Sequence, residues 1–126
     1  MQMQIEFPGG NRVDARVGDL VIHTDQDGSA PPPFTLFLAS IGTCAGIFVL
    51  SFCKHRGLST DGIRILQRTR TNHETHMVET IEIDIEVPPD FPEKYHKALI
   101  RAADQCAVKR HLTDPPEFAV RTVVGV

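Results

Sequence analysis

Met3, Ile5 and Phe7 alternate with Gln4 and Glu6, and Val13, Ala15 and Val17 alternate with Arg12, Asp14 and Arg16. Pro8-Gly9-Gly10 and Gly18-Asp19 punctuate this pattern before it resumes from Leu20 to Thr24. A period of two places every second side chain on one side of a strand, so a meander of three short strands is predicted, each with one apolar face. Asp25 to Pro33 (Asp-Gln-Asp-Gly-Ser-Ala-Pro-Pro-Pro) reads as a loop by its turn chemistry, stiffened by three prolines.

The alternation then stops. From Phe34 to Cys53 every residue is apolar or small, with no charged side chain, and the run is too long for a strand. Pro33 at its entrance, Lys54-His55-Arg56 at its far end and Gly57 beyond are the boundary signals of a single helix. A helix apolar on every side is enclosed by protein or by lipid. Its length would suit a bilayer. Against that, Thr35, Ser40, Thr43 and Ser51 interrupt the run, and the rest of the chain alternates like a soluble sheet. The expectation is therefore a central helix buried in protein. Gly42 and Gly46 lie four apart on one face, where a second backbone is expected to approach.

Beyond Gly57, Ile63 to Thr71 and Met77 to Val87 form a predicted hairpin around Asn72-His-Glu-Thr-His76. Pairing Thr71 with Met77 sets Ile65 opposite Ile83 and Ile63 opposite Ile85, with Arg64 opposite Asp84 on the other face. Pro92 opens a second helix with Tyr95, Leu99, Ala102 and Cys106 as its apolar stripe, and Asp104 is a candidate cap for a short continuation to Leu112. Phe118, Val120, Thr122 and Val124 then predict a last strand. The fold class is α+β, an antiparallel sheet packed on a long central helix plus a second helix.

With 126 residues the chain is predicted to be one domain, 1-126, small for a helix that needs cover all round. That shortage favours a homodimer sharing its central helices. A net charge of −3 with scattered cations argues against nucleic acid or an anionic membrane as partner. The N-terminus carries no basic segment followed by an apolar run, so no secretory signal is expected. Three cysteines in such a chain imply reduced thiols and a cytoplasmic location.

Those cysteines are the candidate chemistry. Cys44 lies mid-helix, and Cys106 follows 62 positions later. Both are compatible with small core hydrophobes. A reactive Cys44 would need an activating cation from elsewhere in the fold, since it sits far from its own helix N-terminus. Cys53, half a turn round the helix, is expected to be inert. His73 and His76 have the spacing of a metal pair, but lack a third ligand at a hairpin tip, so no metal is expected. Lys54-His55-Arg56 and Lys109-Arg110-His111 are read as complements to helix C-terminal dipoles. No phosphate loop, nucleophile elbow or dinucleotide fingerprint occurs, and no cofactor is expected.

The segment Pro32-Pro-Phe-Thr-Leu-Phe-Leu-Ala-Ser-Ile-Gly-Thr-Cys44 resembles the first-cysteine helix of the OsmC/Ohr family, the osmotically inducible and organic hydroperoxide resistance proteins. Asp104-Gln-Cys106-Ala-Val-Lys-Arg-His-Leu112 resembles the second-cysteine segment, and Gly9-Gly10-Asn11-Arg12 fits the N-terminal region. The resemblance spans nearly the whole chain. It implies an intertwined homodimer that reduces organic hydroperoxides, with Cys44 as the peroxidatic thiolate. Cys106 would resolve its sulfenic acid as a disulfide, and an external dithiol would reduce that bond. Arg12 would stabilise the thiolate, with Arg16 as the alternative cation.

Two positions depart from the family pattern. Phe34 stands ten residues before Cys44, where the peroxidase branches carry a glutamate that holds the arginine. Ala107 stands where a proline commonly follows the second cysteine. The alternative function is a non-catalytic OsmC-like module that senses redox state or binds a small apolar ligand.

Overall fold

The computed structural model describes residues 1–125. They form an α+β chain of antiparallel sheets and helices, organised as two compact units. One comprises residues 1–40 and the other begins at Ile41. In the first unit, β1 (Gln4–Gly9), β2 (Arg12–Val17) and β3 (Leu20–Asp25) make the expected meander in the order β1-β2-β3. Its turns use glycine where φ is positive, at Gly9, Gly10 and Gly18. The loop after β3 is tied back by the Asp25 carboxylate, which accepts from Asp27 N at 2.8 Å and from the Ser29 hydroxyl.

Helix α1 runs from Pro33 to His55, with Lys54 and His55 at its negative end. It is long and apolar enough to span a bilayer. In the structure Ile41, Ala45, Val49, Phe52 and Cys53 form its buried stripe. The expectation of burial on every side is not met within one chain, because Phe34, Ile47 and Leu50 remain exposed. Gly42 and Gly46 meet side chains of β4 (Arg64–Thr71) rather than another backbone. A Cβ built on Gly42 would lie 2.5 Å from Gln67 Oε1, and one on Gly46 would lie 3.8 Å from Ile65 Cδ1.

Strand β4 pairs with β5 (Val78–Glu86) as a separate two-stranded sheet. The predicted register is corrected. Ile65 pairs with Ile85, Gln67 with Ile83, Arg64 with Glu86 and Leu66 with Asp84, and a bulge falls between Arg70 and Thr71. The displacement is two residues, which returns every side chain to the same face, so the hydrophobic pattern could not reveal it. Its cause lies at the tip. Asn72 N donates to Met77 O at 2.8 Å, the Asn72 carboxamide oxygen accepts from Glu74 N and Thr75 N, and His76 adopts a positive φ. Arg64 binds Glu86 at 2.6 Å across the exposed face.

After a 3-10 turn at Glu93–Tyr95, α2 covers His96–Ala103 and α3 covers Ala107–Thr113. Here the capping prediction is corrected: Asp104 closes α2, and Cys106 caps α3, its sulfur accepting from Lys109 N at 3.5 Å. The core gathers Ala45, Val49, Phe52 and Cys53 of α1 with Phe91, Leu99 and Ala103, and Ile65 and Ile85 pack against it. The expected last strand does not form. The segment from Phe118 to Val124 has no regular secondary structure and no partner strand among the described residues, and Phe118, Val120 and Val124 are almost fully exposed. A strand needs a free edge to pair with, and no described edge receives this segment.

Candidate thiol site

The second unit brings Cys44 and Cys106 together. Cys44 is half-buried on α1 and Cys106 is buried at the start of α3. Cys106 is close enough to Cys44 to help draw its thiol toward the anion. It is also anchored to α1, its Sγ lying 3.8 Å from the carbonyl oxygen of Ile41.

The Cys44 thiol is held below its ordinary value. The backbone N–H of Val108 contributes most, followed by the Cys106 thiol, then the N–H of Ala107 and the charge of Arg110, against an opposing cost of burial. These groups favour an anionic sulfur because they present donors and positive charge to it. Sequence reasoning placed the activation in a remote cation and treated Arg110 as a dipole complement. The larger part comes from main-chain amides, which no side-chain motif reveals. Cys106-Ala107-Val108 at a helix start was the available signal.

Arg12 sits on β2 of the first unit. Its Nη2 lies 3.3 Å from Asp14 Oδ2 and 3.0 Å from His23 Nδ1. Arg16 is paired with Glu6 at 3.0 Å. Phe34, at the family's glutamate position, stacks in tilted fashion on Phe37 with ring centroids 5.4 Å apart. Cys53 is fully buried, and that burial pushes its thiol up, the nearby Arg56 only partly offsetting it. Among the described residues no group of three or more His, Cys, Asp or Glu is arranged to hold a metal ion.

Beside the thiols lies a cavity of about 620 Å³. Ile41 and Ala45 of α1, Ile81, Ile83 and Ile85 of β5, and Ile100 and Ala103 of α2 form most of its wall. Cys106 lines it, with Asp84, Asp104, Lys109 and Leu112 completing the lining.

Residues 26–121 match the family model of the OsmC-like proteins. The chain belongs to that family. Both candidate thiols lie within the matched region. Among solved structures, the chain is similar to one from Psychrobacter arcticus 273-4 described as an osmotic stress induced and detoxification response protein. The TM-score is 0.73 at 18% identity, covering 87% of this chain and 86% of that one. A hypothetical protein from Aquifex aeolicus VF5 gives 0.67 at 20% identity, with 90% and 87% covered. The organic hydroperoxide resistance protein OhrB of Bacillus subtilis gives 0.51 at 15% identity, with 88% and 90% covered. At these identities the likeness is one of fold. No curated protein sequence matches the chain.

Proposed function

We propose that this OsmC-like protein is a thiol peroxidase that reduces organic hydroperoxides through Cys44 and Cys106. The observation carrying the proposal is the seating of Cys106 on the turn of α1 that precedes Cys44, its Sγ 3.8 Å from the Ile41 carbonyl oxygen, with groups that favour the anion drawn around Cys44. In the first step the Cys44 thiolate attacks the terminal peroxide oxygen. The S–O bond forms as the O–O bond breaks, and the alkoxide leaves with a proton as the alcohol. The Cys106 thiol then attacks the sulfenic sulfur, a disulfide forms and water departs. An external dithiol restores both thiols.

The amides of Val108 and Ala107 and the charge of Arg110 maintain the Cys44 thiolate. Arg12 is assigned the charge that meets the departing oxygen, as its place in the family pattern implies. Comparing Arg12→Ala with Arg110→Ala tests the division. Loss of turnover with normal alkylation of Cys44 belongs to a residue acting on the peroxide, and slowed alkylation belongs to one acting on the thiolate.

The working form is assigned as a cytoplasmic homodimer. Exposed Phe34, Ile47 and Leu50 on α1 and the unpaired segment around Phe118 and Val120 support that assembly. Ile47→Asp is expected to yield monomer in light scattering; an unchanged mass would remove α1 from the interface.

The direct assay follows consumption of alkyl and lipid hydroperoxides with a dithiol reductant. Turnover is expected with wild type and not with Cys44→Ser. Folded wild type that consumes none of them ends the enzyme assignment. One observation favours a second reading, a non-catalytic module that senses redox state or binds an apolar ligand: Phe34 replaces the acid that would hold an arginine. A titration placing the Cys44 thiol at or above the free value of ~8.5 would favour it.

A further inference from the structure

Arg12 is held by two groups on the polar face of the meander. Its Nη2 lies 3.3 Å from Asp14 Oδ2 on its own strand and 3.0 Å from His23 Nδ1 on the neighbouring one. The two partners also meet each other, since His23 Nδ1 lies 3.1 Å from Asp14 Oδ2. Asp14 and His23 are paired in the β2–β3 ladder, so backbone register fixes this triangle. The Asp14 side chain is 8% exposed against 54% for His23, which makes the carboxylate the fixed corner. Nη2 carries two N–H bonds, one for each partner, and these contacts leave Nε and Nη1 outside the clamp.

One atom of the triangle cannot serve both neighbours at once. A bare Nδ1 accepts, whereas Nδ1–H donates; arginine only donates, and a carboxylate only accepts. Neutral His23 with its proton on Nε2 therefore accepts from Arg12 and completes the clamp. Protonated His23 donates from Nδ1 to Asp14 Oδ2, and Arg12 then faces a second cation at 3.0 Å with one anchor lost. Asp25, Glu6 and Arg16 share this face and are engaged elsewhere. Asp25, the cross-strand partner of Arg12, accepts from the Asp27 amide and the Ser29 hydroxyl. Glu6, which faces Asp14 from β1, is paired with Arg16.

We propose that Asp14 and His23 are the positioning residues of Arg12, and that a proton taken up at His23 Nδ1 releases the guanidinium from the histidine. Phe34 offers no carboxylate for this purpose, and the neighbouring strands supply the restraint instead. The proton comes from water, and no other covalent bond changes. The bearing on turnover rests on the role assigned to Arg12 above. A guanidinium held in place meets the departing oxygen, and a loosened one meets it less often.

The experiment follows the side-chain nitrogens of Arg12 and His23 by NMR in the reduced full chain, between about pH 8 and about pH 5. A guanidinium bound at Nη2 rotates slowly about its Cζ–N bonds and gives separate Nη signals, whereas an unrestrained one averages them. A bare Nδ1 and separate Arg12 signals are expected at the alkaline end, with averaging that tracks the protonation of His23. Asparagine keeps an acceptor near the Nδ1 position at every pH, so His23→Asn should hold the signals apart throughout. His23→Leu should average them throughout. His23 is exposed, so neither replacement disturbs the core. A proton on Nδ1 of the neutral ring, or Arg12 signals indifferent to the charge of His23, overturns the proposal.

Turnover supplies the second arm. At each pH, kcat/KM for a hydroperoxide is divided by the alkylation rate of Cys44, which removes the titration of the thiol itself. In wild type this ratio is expected to fall about tenfold as His23 takes up its proton, the scale of one charge-assisted hydrogen bond. In His23→Asn it should stay level. An equal fall in both proteins overturns His23 as the cause. Wild type that consumes no peroxide yet shows the NMR pattern keeps the clamp and removes the peroxidase reading, so the two failures are told apart.

Discussion

Cys106 Sγ lies 3.8 Å from the carbonyl oxygen of Ile41, one turn before Cys44 on the same helix, and accepts the amide of Lys109 at 3.5 Å. One sulfur atom therefore joins α3 to α1 beside the other thiol. This double engagement separates folding from chemistry in mutants. Serine is a better helix N-cap than cysteine, whereas alanine offers no acceptor. Cys106→Ser is expected to fold as well as wild type, and Cys106→Ala to be less stable by about 1 kcal/mol in urea unfolding. Both should leave the Cys44 sulfenic acid unresolved. Dimedone labelling after one equivalent of peroxide checks this: strong labelling of both variants is expected, and equally weak labelling of wild type and variants would deny Cys106 its resolving role.

The amides around Cys44 can be removed one at a time. Proline lacks the N–H and is tolerated in the first helical turn. Val108→Pro is expected to raise the Cys44 thiol more than Ala107→Pro does, because the Val108 amide is the larger contributor. The pH dependence of iodoacetamide alkylation measures both. Equal or absent shifts would remove the main chain as the source of activation.

The same lowered thiol makes stability depend on pH. An acid whose folded value is depressed contributes stability that is fully present above its unfolded value, near ~8.5 for a thiol, and is lost as pH falls through the folded value. The reduced protein should therefore gain stability relative to Cys44→Ser as pH rises through that interval. Denaturant midpoints at pH values approaching ~8.5 from below read the difference. A difference that shrinks with rising pH would contradict the assigned direction.

Cys53 provides the contrasting case. Its side chain is fully buried in the core with Phe52 and Leu99, so Cys53→Ser buries a hydroxyl among apolar side chains. A loss of about 1–3 kcal/mol is expected, with turnover per folded molecule unchanged. Thermal unfolding beside the peroxide assay tests both parts.

The two glycines of α1 make a matched pair. Alanine in a helix interior gains about 1 kcal/mol over glycine. At Gly46 the new methyl would meet Ile65 at an ordinary 3.8 Å, so Gly46→Ala should raise the melting temperature. At Gly42 it would displace the Gln67 carboxamide, 2.5 Å away, and that rearrangement offsets the gain. Destabilisation by Gly46→Ala would mean that something beyond this chain presses on that face.

The meander, the long helix and the hairpin were legible because each has its own hydrophobic period and clear turn residues. The hairpin register was not, since a two-residue displacement preserves both faces and only the Asn72–Met77 tip distinguishes the alternatives. Phe118 to Val124 has the alternation of a strand yet pairs with no described strand, and pairing is a property of two segments rather than one. At the thiol site, the cysteines were visible as residues and through their resemblance to a family. The Val108 and Ala107 amides that surround Cys44 were hidden, because every residue but proline carries the same donor.

A cap made from sulfur has one more consequence. Once Cys106 is bonded to a second sulfur, its orientation is set by that bond and is no longer free to serve the Lys109 amide. The first turn of α3 should then loosen, and deuterium uptake at Lys109 would differ between the reduced and oxidised chain. The oxidation state of the crevice would thereby be written in the exchange rate of a backbone proton, readable without any substrate at all.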